Sequence, residues 1–94
     1  MENSLNEFIE TSTDENLLII KSYVDEYIVY FKANYNLEQR NQLIMEVFKL
    51  AQKKYLASPN AKFESNKRGV LGILTKSYIN QKLFKTKKTL ENPN

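Results

Sequence analysis

The stretch ESNKRGVLGILTKSYINQKLFKTKK, residues 64–88, decides the fold of this chain. Its centre, Val70–Ile79, is the densest apolar run apart from Leu17–Ile20, and basic residues flank it on both sides. Its side chains repeat at the three- and four-residue steps of a helix. The predicted apolar face comprises Val70, Leu74, Ser77 and Tyr78, with Leu71 and Ile73 at its edge. The pattern therefore predicts an amphipathic helix with charged ends, over about residues 66–85.

A second amphipathic helix is predicted at about residues 13–33. Ser12 and Glu15 have the spacing of a capping box, with Ser12 as the N-cap. An apolar stripe follows at helical spacing and comprises Leu17, Ile20, Val24, Tyr27, Ile28 and Phe31. The segment Asn34–Asn36 is predicted to end the helix, because asparagine tolerates the left-handed conformation and caps helices well.

A third helix is predicted at about residues 37–56, again from a capping box, formed by Asn36 and Gln39. Its apolar face comprises Leu43, Ile44, Val47, Phe48, Leu50, Ala51 and Tyr55, and its outer face carries Arg40, Glu46, Lys49, Lys53 and Lys54. Ser58-Pro59-Asn60 should stop it, because proline cannot continue the hydrogen-bond ladder. Residues 61–65 are then expected to form a loop with Phe63 beneath it.

These elements predict an all-α fold, a small antiparallel bundle of three main helices. Residues 1–12 are either a short helix or a frayed arm, since Leu5, Phe8 and Ile9 form one apolar island. Residues 13–86 form the helical domain. Residues 87–94 are polar and are predicted to be a disordered tail.

The composition restricts the chemistry that this chain offers. Ninety-four residues make one domain, and the chain contains neither histidine nor cysteine. The commonest general base and the thiolate ligands are therefore missing, and no spaced motif for catalysis appears. We expect no enzyme activity, no cofactor, no metal and no small-molecule substrate. The lack of cysteine fits a cytoplasmic location, and no apolar run approaches the roughly 18 residues of a membrane span.

Charge is distributed unevenly along the chain. Residues 1–47 hold nine acids and three bases, a net −6, whereas residues 48–94 hold eleven bases and two acids, a net +9. This asymmetry indicates an anionic partner, either nucleic acid or an acidic protein surface. The candidate binding residues are Lys62, Lys67, Arg68, Lys76, Lys82 and Lys85. Alternatively, the two halves attract each other within the fold, or the basic residues are merely solvated.

Two other features have competing interpretations. Gly69 and Gly72 match the Gly-x-x-Gly loop of KH domains, but that module needs surrounding strands, and two glycines on a helix more often allow close approach of another element. Among the aromatic residues, Tyr30, Tyr35 and Phe84 are expected to be exposed. Phe84 either forms a mixed apolar and basic patch with Lys82 and Lys85, or covers the end of the bundle.

The segment Leu43–Phe84 resembles the C-terminal domain of DnaD-type primosome proteins, and a similar helical domain lies at the C-terminus of RepA_N-type plasmid replication initiators. The resemblance comprises the helix Ile44–Ala51, a polar loop, the apolar helix Asn66–Tyr78 and the tail Phe84-Lys85-Thr86. Two pairs depart from the family pattern. Gly69-Val70 replaces a typical Tyr-Ile pair, and Ser77-Tyr78 occupies the place of a tryptophan.

The resemblance implies an all-α domain that acts in initiation of plasmid or phage replication. It would bind DNA or recruit a host replication protein such as primase or helicase, as a monomer or weak dimer. The length also fits an excised domain of a longer protein with an added Met1. Two alternatives share the size and helical class, a bacteriocin immunity protein and a phage-encoded inhibitor of a host protein.

Overall fold

A computed structural model describes residues 4–57 and 61–91, and the side chains of the last helix as far as Lys85. Within these ranges, five α-helices follow one another as α1 (Ser4–Thr11), α2 (Glu15–Tyr30), α3 (Leu37–Ala51), α4 (Ala61–Ser65) and α5 (Lys67–Glu91). A single π-helical turn, Gln52–Leu56, continues α3. The described ranges contain no β-strand, which confirms the predicted all-α class and leaves Gly69 and Gly72 inside α5 rather than in a KH-type loop.

Helix α2 begins two residues later than the predicted capping box. Its N-cap is Asp14, whose carboxylate accepts a hydrogen bond from the Leu17 amide at 3.0 Å. The Ser12 hydroxyl instead accepts from the Asp14 amide at 3.2 Å. The prediction of Ser12 as N-cap is therefore wrong, because its oxygen already closes the turn before the helix.

Helix α2 ends in a left-handed residue, Lys32, with φ of 57°. The Ala33 amide donates to the Ile28 carbonyl at 2.9 Å, and the Lys32 amide donates to the Val29 carbonyl at 3.0 Å. These two bonds form a Schellman motif, which usually has glycine at this position. The break was predicted at the asparagines Asn34–Asn36, but the left-handed turn lies at a lysine.

The capping box at the start of α3 is confirmed. The Asn36 side chain accepts from the Gln39 amide at 2.8 Å, and the Gln39 side chain accepts from the Asn36 amide at 3.0 Å. Two orphan amides at the helix start are thereby satisfied.

The segment after α3 departs from the prediction in two ways. The last turn of the predicted helix is π-helical, with the Ala57 amide donating to the Gln52 carbonyl at 3.0 Å. Ala61–Ser65, expected to be a loop, is the short helix α4, and its Phe63 is buried and stacked on Tyr55 with ring centroids 5.2 Å apart. The predicted stop at residues 58–60 lies outside the described residues.

Helix α5 is longer than predicted. It begins at Lys67, close to the predicted start, and continues to Glu91, beyond the predicted end near Lys85. The predicted tail, residues 87–94, overlaps this helix over residues 87–91, and residues 92–94 lie outside the described part of the chain.

The three long helices form the predicted antiparallel bundle. Helices α2 and α5 run in the same direction, since Glu15 pairs with Lys67 near their starts and Tyr27 meets Lys76 further along. Helix α3 runs opposite to α2, because Arg40 near its start reaches Asp25 in the second half of α2. Each helix contributes an apolar stripe to one core, which comprises Ile9, Leu17, Ile19, Ile20, Val24, Leu43, Ile44, Val47, Phe48, Ala51, Phe63, Leu71 and Ile79.

Helix α1 is held on the bundle by a polar cluster around Arg40, which was predicted on the outer face of α3. The guanidinium binds Asp25 of α2 through two hydrogen bonds of 2.8 Å and Glu10 of α1 at 3.2 Å. The Asn41 side chain lies 2.7 Å from the same guanidinium and donates to Asn6 of α1 at 2.6 Å. The hydrogen bonds to Asp25 raise the pKa of Arg40. With Ile9 fully buried, α1 is a docked short helix, and Arg40 joins three helices.

The buried stripe of α5 is rotated from the predicted face. Leu71, Thr75 and Ile79 are fully buried, whereas Ser77 is exposed. The absence of a side chain at Gly72 lets α5 approach Tyr23 of α2, and the buried Thr75 hydroxyl donates to the Leu71 carbonyl at 2.7 Å. Because of this rotation, Ile73 projects into solvent and is 73% exposed.

Candidate partner-binding surface

The candidate binding residues were predicted around the last helix, and the structure distributes them around its circumference. Lys67, near the start of α5, pairs with Glu15 of α2 at 2.9 Å and with Glu64 of α4 at 3.3 Å. The hydrogen bond to Glu15 contributes most to raising the pKa of Lys67. Lys67 therefore ties α5 to two neighbouring helices.

Lys82 is engaged in the same way further along α5. Its ammonium lies 2.8 Å from the Glu46 carboxylate of α3, and the Tyr78 hydroxyl donates to the same carboxylate oxygen at 2.8 Å. Burial raises the pKa of Glu46, but the bonds from Lys82 and Tyr78 together outweigh it, so the net pKa is lowered. Burial and the bond to Glu46 raise the pKa of Tyr78 to about 12.

Lys76 lies against the aromatic side chains of α2. Its ammonium is 5.9 Å from the centre of the Tyr27 ring and 5.4 Å from that of Tyr30, within the range of a cation–π interaction. Tyr30 is 63% exposed, as predicted, but Tyr35 is half-buried against the core. This contact joins the last turns of α2 to the first half of α5.

The other three candidates are exposed and far apart. Lys62 lies on α4, and Arg68 and Lys85 lie near opposite ends of the described α5 side chains. Seventeen residues separate Arg68 from Lys85, so they stand about 25 Å apart along the helix and about 100° apart around it. The six candidates do not form one basic face. At least three of them contact neighbouring helices. Lys67 and Lys82 do so through Glu15 and Glu46 of the acidic half, in agreement with attraction between the two halves.

One exposed side of α5 carries large apolar side chains. Ile73 projects from it, Phe84 lies further along and is 62% exposed, and Val70 is half-buried at its edge. Together with Ser77, these residues follow one another at steps of three, four and seven, which places them on one side of a helix. We call Val70, Ile73, Ser77 and Phe84 the outer face of α5.

A groove lies between this face and the π-helical turn. It has a volume of about 350 Å³ and is lined by Lys54, Tyr55, Val70, Ile73, Leu74 and Ser77. The wider π turn carries Tyr55 onto Phe63, where the two rings stack. Single π turns are frequent at functional sites. We call this concavity the π-turn groove.

The sequence indicated part of this surface. Phe84 was considered for an exposed patch, and its exposure favours that interpretation over coverage of the bundle end. Ile73, Lys54 and Tyr55 were not selected. Ile73 would have been found by centring the buried stripe on Leu71, Thr75 and Ile79, but no sequence signal marks the π turn.

Two other concavities lie elsewhere on the described surface. One of about 260 Å³ is lined by Tyr78, Gln81, Lys82 and Lys85. Another, of about 470 Å³, lies between α2 and the start of α3 and includes the Asp25–Arg40 pair. Within residues 4–57 and 61–91, no group of three or more carboxylates lies close enough to hold a metal ion, and no helix there has the length and apolar character to cross a membrane.

Comparison with known proteins returns no relative. No model of a known protein family matches the chain, and neither the curated proteins nor the solved structures contain a significant match.

Proposed function

We propose that this chain is a non-enzymatic interaction domain that recruits a protein partner through the outer face of α5 and the adjoining π-turn groove. The observation that carries this proposal is the exposure of Ile73 and Phe84 on one side of the longest helix. Exposed apolar side chains beside a groove are one mark of a protein interaction site.

Protein rather than DNA is favoured as the partner because of how the basic residues are used. Lys67 and Lys82 are neutralised by carboxylates, and Lys76 rests on tyrosine rings. A DNA surface would need several cations aligned along the phosphate backbone. The remaining candidates on α5, Arg68 and Lys85, lie too far apart to supply such a track alone.

We place this activity in initiation of plasmid or phage DNA replication, with the host helicase or primase as partner. Support comes from the resemblance of Leu43–Phe84 to DnaD-type and RepA_N-type domains. That segment contributes every lining residue of the π-turn groove.

The test is binding of the purified helicase and primase of the host to immobilised protein, measured by biolayer interferometry. Ile73→Asp and Phe84→Asp should each weaken binding by about tenfold or more, because a buried charge replaces an apolar anchor. Val29→Asp is the matched control, since Val29 on α2 is 76% exposed and lies away from the groove. Equal binding by all variants, or none by wild type, would contradict the proposal.

DNA binding is measured in parallel by fluorescence anisotropy at about 50 and about 200 mM salt. Arg68→Glu/Lys85→Glu is the informative variant, because neither residue contributes to the ion pairs of the bundle described above. Salt-sensitive DNA binding that this variant abolishes, without binding to helicase or primase, would replace the proposed function by DNA binding.

A further inference from the structure

We infer that the π-turn groove takes an acidic amphipathic helix from the partner protein. This inference rests on the proposed function and specifies the chemistry of the partner at that site.

The charged residues of the groove lining and of the π turn are basic. Lys54 is the only charged residue in its lining, and Lys53 is exposed beside it on the same π turn. The π turn contains no acidic residue, and α5 contains none before Glu91. The carboxylates of Glu15, Glu64 and Glu46 approach α5 at Lys67 and Lys82, which do not line the groove. At the groove itself the charge of Lys54 therefore favours acidic side chains on the partner.

The floor of the groove is apolar. Tyr55, Val70, Ile73 and Leu74 line it, and only Ser77 and Lys54 contribute polar atoms. Ile73 is the most exposed of these apolar side chains. It offers the anchor contact that a partner's apolar residues would cover.

Both walls of the groove are helical, and this favours a helical rather than an extended partner segment. The π turn forms one wall and α5 the other, and neither presents an unpaired strand edge that could take an extended peptide. An amphipathic helix places apolar residues at steps of three and four, the same steps that separate Val70, Ile73 and Ser77. From Val70 to Phe84 the outer face extends about 21 Å, enough for about four turns of a partner helix.

The probe is a pair of labelled, end-capped designed helical peptides of about 16 residues with leucines along one face. One has glutamate at the solvent positions and the other has lysine, so that they differ only in charge. Anisotropy should show the acidic peptide binding about tenfold or more tightly than the basic one at low salt. Ile73→Asp should abolish most of that binding, and Val29→Asp should leave it unchanged.

The second variant is Lys54→Glu, which reverses the only charge in the groove lining. This variant should bind the acidic peptide more weakly and the basic peptide more tightly than wild type does. Circular dichroism of each variant controls for folding, and both substituted side chains are exposed. Equal affinity for the two peptides, indifference to Ile73→Asp, or no binding would overturn the inference.

Two further outcomes separate this inference from its alternatives. If light scattering shows a dimer that Ile73→Asp dissociates, and the acidic peptide does not bind, the groove is occupied by a second copy and the inference is overturned. If helicase or primase binds in an Ile73-dependent manner but the acidic peptide does not, the inference fails and the proposed function stands. If the peptide binds but neither protein does, the replication role fails and the acidic-helix site stands.

Discussion

Replacing Gly72 with alanine tests how α5 is seated on α2. A Cβ atom at this position would lie 2.8 Å from Cζ of Tyr23, 3.0 Å from Cε1 and 3.1 Å from the hydroxyl oxygen. Ordinary contact starts near 3.4 Å, so the ring has to move by about 0.6 Å. Tyr23 is not free to turn away, because it packs against the core and stacks on Tyr27 with ring centroids 6.0 Å apart.

Two opposing effects determine how Gly72→Ala changes the free energy of unfolding. Alanine favours the helix over glycine by about 1 kcal/mol. Overpacking of a close helix contact costs about 1–3 kcal/mol. We therefore expect Gly72→Ala to lower the free energy of unfolding by about 1 kcal/mol, and to lower Tm by about 4–8 °C.

Gly69→Ala is the matched control on the same helix. There the new Cβ atom meets only the tip of the Asn66 side chain, at 2.8 Å, and Gly69 is exposed. Because no ring has to be displaced, the helix propensity of alanine should dominate. We expect Gly69→Ala to raise the free energy of unfolding by up to about 1 kcal/mol.

Urea denaturation followed by circular dichroism measures both variants. The expected order of stability is Gly69→Ala above wild type and Gly72→Ala below it. In a Tyr23→Ala background, Gly72→Ala should become stabilising by about 1 kcal/mol, since the obstructing ring is gone. Equal stabilisation by the two alanines in the wild-type background would refute the close approach of α5 to Tyr23.

Three further predictions concern the polar contacts. Arg40→Lys should lower the free energy of unfolding by about 1 kcal/mol in urea titrations, because lysine keeps the charge but cannot make the paired bonds to Asp25, itself half exposed; wild-type stability would contradict this. Lys32→Gly should raise the free energy of unfolding by about 0.5–1 kcal/mol, since φ is 57°, whereas Lys32→Ala should change it little. Tyr78→Phe should be less stable than wild type at pH 9, and this difference should shrink as the pH rises from 10 towards 12. The folded state keeps the Tyr78 proton up to a pKa of about 12, whereas the unfolded state loses it near 10.0. The contribution of Tyr78 to stability is therefore complete below pH 10.0 and is lost as the pH rises to about 12. A difference that stays constant with pH would contradict the assigned contact with Glu46.

The fold was predictable where the decisive contacts are local in sequence. The capping box of Asn36 and Gln39 involves residues three apart, and the stripe of Leu17, Ile20 and Val24 repeats within one helix. Such patterns are read directly from spacing. The number of long helices, their class and their antiparallel packing follow from them.

The errors arose where tertiary contacts choose between local alternatives. Leu71 and Val70 are both apolar, but Leu71 is fully buried whereas Val70 is half-buried at the edge of the core. The close approach of Gly72 to Tyr23 accompanies this rotation, and it is not visible in the spacing. The same rotation places Ile73 in solvent. The π turn at Gln52–Leu56 has no marker of its own in the sequence, and it accompanies the stacking of Tyr55 on Phe63, a residue of the next helix.

The predicted basic surface illustrates the same limit for function. The sequence separates acids from bases, but folding lays α5 beside α2 and α3, which carry Glu15 and Glu46. The carboxylates of the first half therefore neutralise Lys67 and Lys82 of the second, and charge that is concentrated in sequence becomes compensated in space. The outer face of α5 is left uncovered by the fold. There Ile73 is exposed, and Lys54 lines the adjoining groove. A surface with an exposed apolar side chain beside a cation is complemented by a partner that carries apolar and acidic groups together. A partner should therefore be sought from this combination of Ile73 and Lys54 rather than from the net charge of the chain.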